Sequence, residues 1–180
     1  MTTMLSRLFV TGSVALLLVA MTGCTDAPRP LSSHTAASVQ DVIATGLHVK
    51  PDMDARDALQ KLGEPESVET ERVPNRHRPQ QVDTLRTLHY PGLTITVYDA
   101  TALDKSLVTD VKITSPAYEA SDGLRVGMSR QGALERIQNA TWVSGDTLVS
   151  NLDDKGPPVE LIVTFDGDEV KALAWHFYID

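Results

Sequence analysis

Residues 46–65 read GLHVKPDMDARDALQKLGEP, and residues 123–137 read GLRVGMSRQGALERI. Laid side by side, Gly46-Leu47-His48-Val49 matches Gly123-Leu124-Arg125-Val126. A few residues on, Met53, Ala58 and Leu59 are identical to Met128, Ala133 and Leu134, and Lys61 and Leu62 match Arg136 and Ile137 in type. Both segments read as the start of a helix. Asp54 and Ser129 are N-cap residue types, whose side chains accept from early helical N–H groups. The methionine before each cap is placed to pack on the alanine five positions later, as a hydrophobic staple. Ala58, Leu59 and Leu62 form one apolar stripe, and Ala133, Leu134 and Ile137 form another. Gly63, with Pro65 behind it, stops the first helix. Two helix starts of one design, 75 positions apart at Met53 and Met128, point to an internal duplication.

Each helix start is followed by strand-like segments. After the first come residues 67–73, 85–90, 93–98 and 108–114. After the second come 141–149, 159–165 and 170–179. Leu93, Ile95 and Val97 alternate with Thr94, Thr96 and Tyr98, a period of two that leaves one threonine-rich face. Val159, Leu161, Val163 and Phe165 alternate in the same way, and Asp166-Gly167 supplies a hairpin turn. The pairs Val97-Tyr98-Asp99 and Thr164-Phe165-Asp166, and Asp110-Val111-Lys112 and Glu169-Val170-Lys171, echo one another. A helix laid across one face of such a sheet buries the apolar side of both. The expected fold is therefore α+β, with two related helix-plus-antiparallel-sheet units at 38–116 and 117–180. Val39, Val42 and Ile43 add a short amphipathic helix that ends at Gly46.

The amino-terminal segment is an address rather than part of the fold. Leu8 to Met21 runs without a charge for about 14 residues, roughly 21 Å as a helix, well short of the ~30 Å core of a bilayer. That is the length of a signal-peptide apolar region. Met21-Thr22-Gly23-Cys24 then resembles a bacterial lipobox: an apolar residue, two small residues that fit signal peptidase II, and the cysteine whose thiol takes the diacylglyceryl group. Residues 1–23 are expected to be removed, leaving Cys24 as the acylated amino terminus of a Pro-, Ser- and Ala-containing tether over residues 24–37. Two or three acyl chains anchor far more firmly than one. Thr25 after the cysteine implies, by analogy with this class of lipoprotein, an outer-membrane location facing the periplasm.

The helix starts and the strand endings resemble the family of small envelope lipoproteins with the β-lactamase-inhibitor-protein fold, including the BamE (SmpA/OmlA) type. Gly127-Met128-Ser129 carries the first half of that family's signature in the second unit, and Leu62-Gly63-Glu64-Pro65 carries the second half in the first. The resemblance spans residues 46–180. It implies a cell-envelope protein that binds another protein in the periplasm or outer membrane and is not an enzyme. Outer-membrane assembly or envelope maintenance is the implied setting. Inhibition of an envelope hydrolase and a lipid-tethered enzyme are the alternatives.

Composition and motifs bear on the same choice. The chain has 180 residues, is 42% hydrophobic and 22% charged, and carries a net charge of −8, which disfavours nucleic acid as a partner. Its single cysteine excludes internal disulfides. The five histidines form no HxH or HxxxH pair, and neither a nucleophile elbow nor a phosphate loop is present, so no catalytic residue, metal ligand or cofactor site is assigned. Two features suit partner binding. One is the basic, Pro-flanked segment carrying Arg72, Arg76 and Arg78, which otherwise reads as a solvated hairpin loop. The other is the last strand, where Trp175 and Phe177 share one face and His176 and Tyr178 share the other. Aromatic residues are enriched at binding hot spots; the competing account is a central strand covered on both sides. For the anchor, Cys24→Ser is expected to abolish acylation and leave unprocessed precursor. Intact-mass measurement checks this, and normal acylation of the variant would refute it.

Overall fold

Strands with one apolar side must bury that side, and here they do so together. In the computed structural model, which describes residues 33–47, 54–120, 123–137, 140–152 and 159–179, eight antiparallel strands form one sheet. They are β1 (Ser67–Pro74), β2 (Val82–Tyr90), β3 (Leu93–Ala100), β4 (Lys105–Ile113), β5 (Ala140–Ser144), β6 (Thr147–Asn151), β7 (Val159–Asp166) and β8 (Glu169–Phe177). The order across the sheet is β1-β2-β3-β4-β8-β7-β6-β5. Each set of four is a meander, and the last strand of one set pairs with the last strand of the other. Three helices accompany it: α1 (Ser33–Gly46), α2 (Ala55–Leu62) and α3 (Arg130–Leu134). The fold is thus antiparallel-sheet-dominated α+β. The signal segment, the lipobox around Cys24 and the first part of the tether lie outside the described residues.

Local chemistry places the helices. The Asp54 carboxylate accepts from the Arg56 backbone N–H at 2.9 Å, and the Ser129 hydroxyl accepts from the Gly132 N–H at 3.2 Å, so both caps act as their residue types require. α1 begins at Ser33, inside the stretch assigned to the tether. Ala36 and Ala37, counted there as small linker residues, are also strong helix formers and extend the helix that Val39, Val42 and Ile43 dock. α1 packs on α2, both lie on β4, and α3 lies on β8. Lys61 of α2 meets Asp41 of α1 at 2.7 Å, an exposed pair that sets orientation more than it stabilises.

The strand boundaries differ from expectation in one important place. Residues 141–149 read as a single strand, yet Gly145 and Asp146 break them into the β5–β6 hairpin. That break completes the second set of four strands. Gly167 takes the positive φ of 59° that the β7–β8 turn requires.

One core runs beneath both sets of strands. Ile95 and Val97 of β3, Val111 and Ile113 of β4, Leu173, Trp175 and Phe177 of β8, and Leu161 and Val163 of β7 are buried together with Val39, Val42 and Ile43 of α1. The carboxyl end of α1 sits directly on the last strand: a Cβ at Gly46 would lie 2.6 Å from the Phe177 ring. That ring is only 1% exposed and has no room to retreat. Gly46→Ala is accordingly expected to cost about 1–3 kcal/mol by overpacking. The check is a lower urea midpoint with an unchanged slope; an unaltered midpoint would show that the helix end yields freely.

Candidate functional site

The helices cover one face of the sheet, and the alternation of each strand sends the other residues to the opposite, outer face. Register identifies them. Thr96 of β3 is level with Asp110 of β4, Asp110 with His176 of β8, and His176 with Glu160 of β7. Lys112, Ala174 and Ile162 form the next row. Ala174 leaves a gap among these rows, and a shallow hollow of about 460 Å³ lies there over β3, β4, β8 and β7, with Lys112 in its lining.

Polar side chains border it. His176 Nδ1 faces Asp110 Oδ1 at 2.6 Å across the β4–β8 seam, so an Nδ1–H donating to the carboxylate ties the two halves of the sheet on this side. The His176 ring meets Tyr178 edge-on, with centroids 4.5 Å apart. The Glu160 charge, some burial and a hydrogen bond between the two push the Tyr178 hydroxyl up from its ordinary pKa. Among the described residues, no hydroxyl bonds to His176 Nε2 as a nucleophile would, and no three metal-ligating side chains gather.

This geometry divides the residues singled out in the last strand. His176 and Tyr178 are on the outer face and half-exposed or exposed, so they are available to a partner. Trp175 and Phe177 are not: they are 4% and 1% exposed and sit in the core under α1 and its neighbours. Both faces of the strand are apolar in sequence, and only the position of α1 decides which is covered. Asp110 and Glu160 were not among the sequence candidates. Their signal is a carboxylate at an outward position of a central strand, which becomes visible only once the strand partners are known.

The basic segment is divided too. Arg72 is level with Thr84, on the face that carries Arg86 and Asp99, which is the helix side of the edge strand. Arg76 and Arg78 belong to the β1–β2 loop. That loop is held by a buried carboxylate. Asp83, with no exposed surface, accepts from Asn75 Nδ2 at 2.7 Å, Gln81 Nε2 at 2.7 Å, the Thr101 backbone N–H at 3.0 Å and the Tyr98 hydroxyl. Asn75 Oδ1 in turn accepts from the His77 and Arg78 backbone N–H groups at 2.9 and 2.8 Å, an Asx turn. The hydrogen bond from Tyr98, then those from Asn75 and Gln81, outweigh burial and hold the Asp83 carboxyl far below the usual carboxylate range.

No family model and no curated protein matches the chain. Among solved structures, the uncharacterized protein yfeY from Escherichia coli is similar over 67% of this chain and 86% of its own, at 8% identity and a TM-score of 0.36.

The Asp83 network makes an acid-sensitive contribution. A carboxyl whose folded-state pKa is depressed stabilises the fold at pH values above its unfolded value of about 3.9, and that stability is lost as the pH falls toward the folded value. Asp83→Asn is therefore expected to lower the unfolding midpoint clearly near neutral pH, with the gap to the parent chain shrinking below about pH 4. Urea titrations at both pH values check it, and an equal gap at both would exclude an ionised Asp83 as the source.

Proposed function

We propose that this chain is a non-catalytic, lipid-anchored protein of the bacterial envelope that binds a protein partner through the outer face of its sheet. In this proposal Cys24 carries the acyl chains, residues 1–23 are removed, and the body faces the periplasm from the outer membrane. The setting is outer-membrane assembly or envelope maintenance. We also take the two sets of elements to be two copies of one BamE-like, inhibitor-protein-like unit. Supporting this, α2 and α3 share their capping chemistry, and each rests on the final strand of its own set of four. The two sets meet through those final strands, so the sheet order reads the same from either end.

The observation that carries the binding proposal is the asymmetry of the sheet. One side is sealed by helices, and the centre of the other is a hollow lined by Thr94, Thr96, Ala174 and Ile162 and bordered by the His176–Asp110 pair. Ala174 and the two threonines let a partner approach the backbone, while Lys112 and the flanking polar groups fix its orientation. Such a surface recognises a shape more readily than it performs a reaction, since the His–Asp pair lacks an attached nucleophile among the described residues.

A photo-crosslinking residue at Thr96 is expected to capture a specific partner in intact cells, whereas one at Gln60, exposed on α2, is not. Adding Ala174→Arg, which fills the hollow, should reduce that capture about tenfold or more. Capture of an outer-membrane assembly component supports the proposed setting, and capture of an envelope hydrolase moves the protein to the inhibitor class. Equal labelling from both positions would defeat the proposal.

A further inference from the structure

Toward the β1–β2 loop lies a second cleft, of about 330 Å³, which the proposed partner surface does not use. Val73 of β1, the Tyr98 ring, Leu103, Leu107 of β4 and Ile179 supply its apolar walls, and the β1–β2 loop adds Asn75, Arg76, His77 and Gln81. Leu103 is 65% exposed at its rim. The volume falls at the lower end of the range of small-molecule pockets, about 300–1,000 Å³.

The polar groups around this cleft fall into two kinds. The Asn75 and Gln81 amides and the Tyr98 hydroxyl are already spent on Asp83, whose oxygens are sealed from solvent and so offer no competing acceptor. The guanidinium groups of Arg76 and Arg78, by contrast, form no hydrogen bond or ion pair among the described residues. Arg76 lines the cleft, and its charge acts on the Tyr98 hydroxyl in the wall. Both arginines stand on a turn held rigid by Asn75. Arg76 thus brings a positive charge without a carboxylate partner among the described residues to a cleft with apolar walls. Arginine matches carboxylate and phosphate groups with paired hydrogen bonds.

We propose that this cleft binds an amphipathic anion, with an acyl or alkyl chain against Val73, Leu107 and Ile179 and a carboxylate or phosphate head held by Arg76. The site is independent of the sheet-centre surface. Two sources share this chemistry, a free fatty acid and a membrane phospholipid.

The test titrates the full chain with three soluble ligands below their micelle concentrations: dodecanoate, dihexanoyl-phosphatidylglycerol and dodecyltrimethylammonium. Saturable binding of at least one of the two anions and little binding of the cation are expected. The tighter anion names the source: dodecanoate a free acid, the phospholipid a bilayer lipid. Arg76→Glu should weaken anion binding about tenfold or more, as loss of charge-assisted pairing requires. Leu107→Asn should weaken it through the chain instead. Arg76 is on the surface loop, and circular dichroism checks that its variant is folded. Cation binding equal to anion binding, unchanged affinity in the arginine variant, or no binding of either anion would each overturn the proposal.

Discussion

The join between β4 and β8 is short. Only four residue pairs span it, Asp110–His176, Val111–Trp175, Lys112–Ala174 and Ile113–Leu173. Without that ladder there would be two four-stranded meanders, each with two free edges and an incompletely covered apolar face. With it there is one sheet over one core. The inward pairs of the ladder, Val111–Trp175 and Ile113–Leu173, are all buried, so the join is set by hydrophobic burial as well as by backbone hydrogen bonds. α1 reinforces it. The helix belongs to the amino-terminal set yet rests on Phe177 of the last strand. The outer side carries its own tie, the His176–Asp110 contact, so the seam is held from both faces.

How much of this the sequence discloses depends on the range of the interaction. Periodicity at β3 and β7 is a local signal, and it marks those strands and their buried side directly. The caps at Asp54 and Ser129 are local too, and each makes the hydrogen bond its residue type predicts. Pairing across the seam is not local. Asp110 and His176 are 66 positions apart, and nothing in either segment selects the other over a different edge. The same gap explains the last strand. Trp175 and Tyr178 look equally suited to a partner until the position of α1 buries one and leaves the other outside. Residues 141–149 show a smaller failure of the same kind, since Gly145-Asp146 is a turn signal lying between two short apolar runs that join easily by eye.

The ends of the sheet face a different constraint. β1 and β5 are edge strands, and an edge with unpaired backbone groups invites association with another chain. β1 carries Glu69, Glu71 and Arg72 and closes on Pro74, with almost every position exposed. Charge and proline are the usual ways to make an edge a poor template, so strand addition at β1 is disfavoured.

The buried Asp83 has a consequence beyond its hairpin. A carboxylate satisfied wholly by neutral donors fixes the Asn75–Gln81 segment without using any arginine. Three other arginines are paired with carboxylates: Arg86 with Asp99 at 2.9 Å, Arg56 with Asp54 and Asp104, and Arg130 with Asp146. Had Asp83 recruited Arg76 in the same way, the loop would be held equally well and the cleft beside it would be electrically neutral. Amide and phenol donors hold the turn instead and leave the positive charge facing outward. The order of the loop and its charge are thus independent of one another.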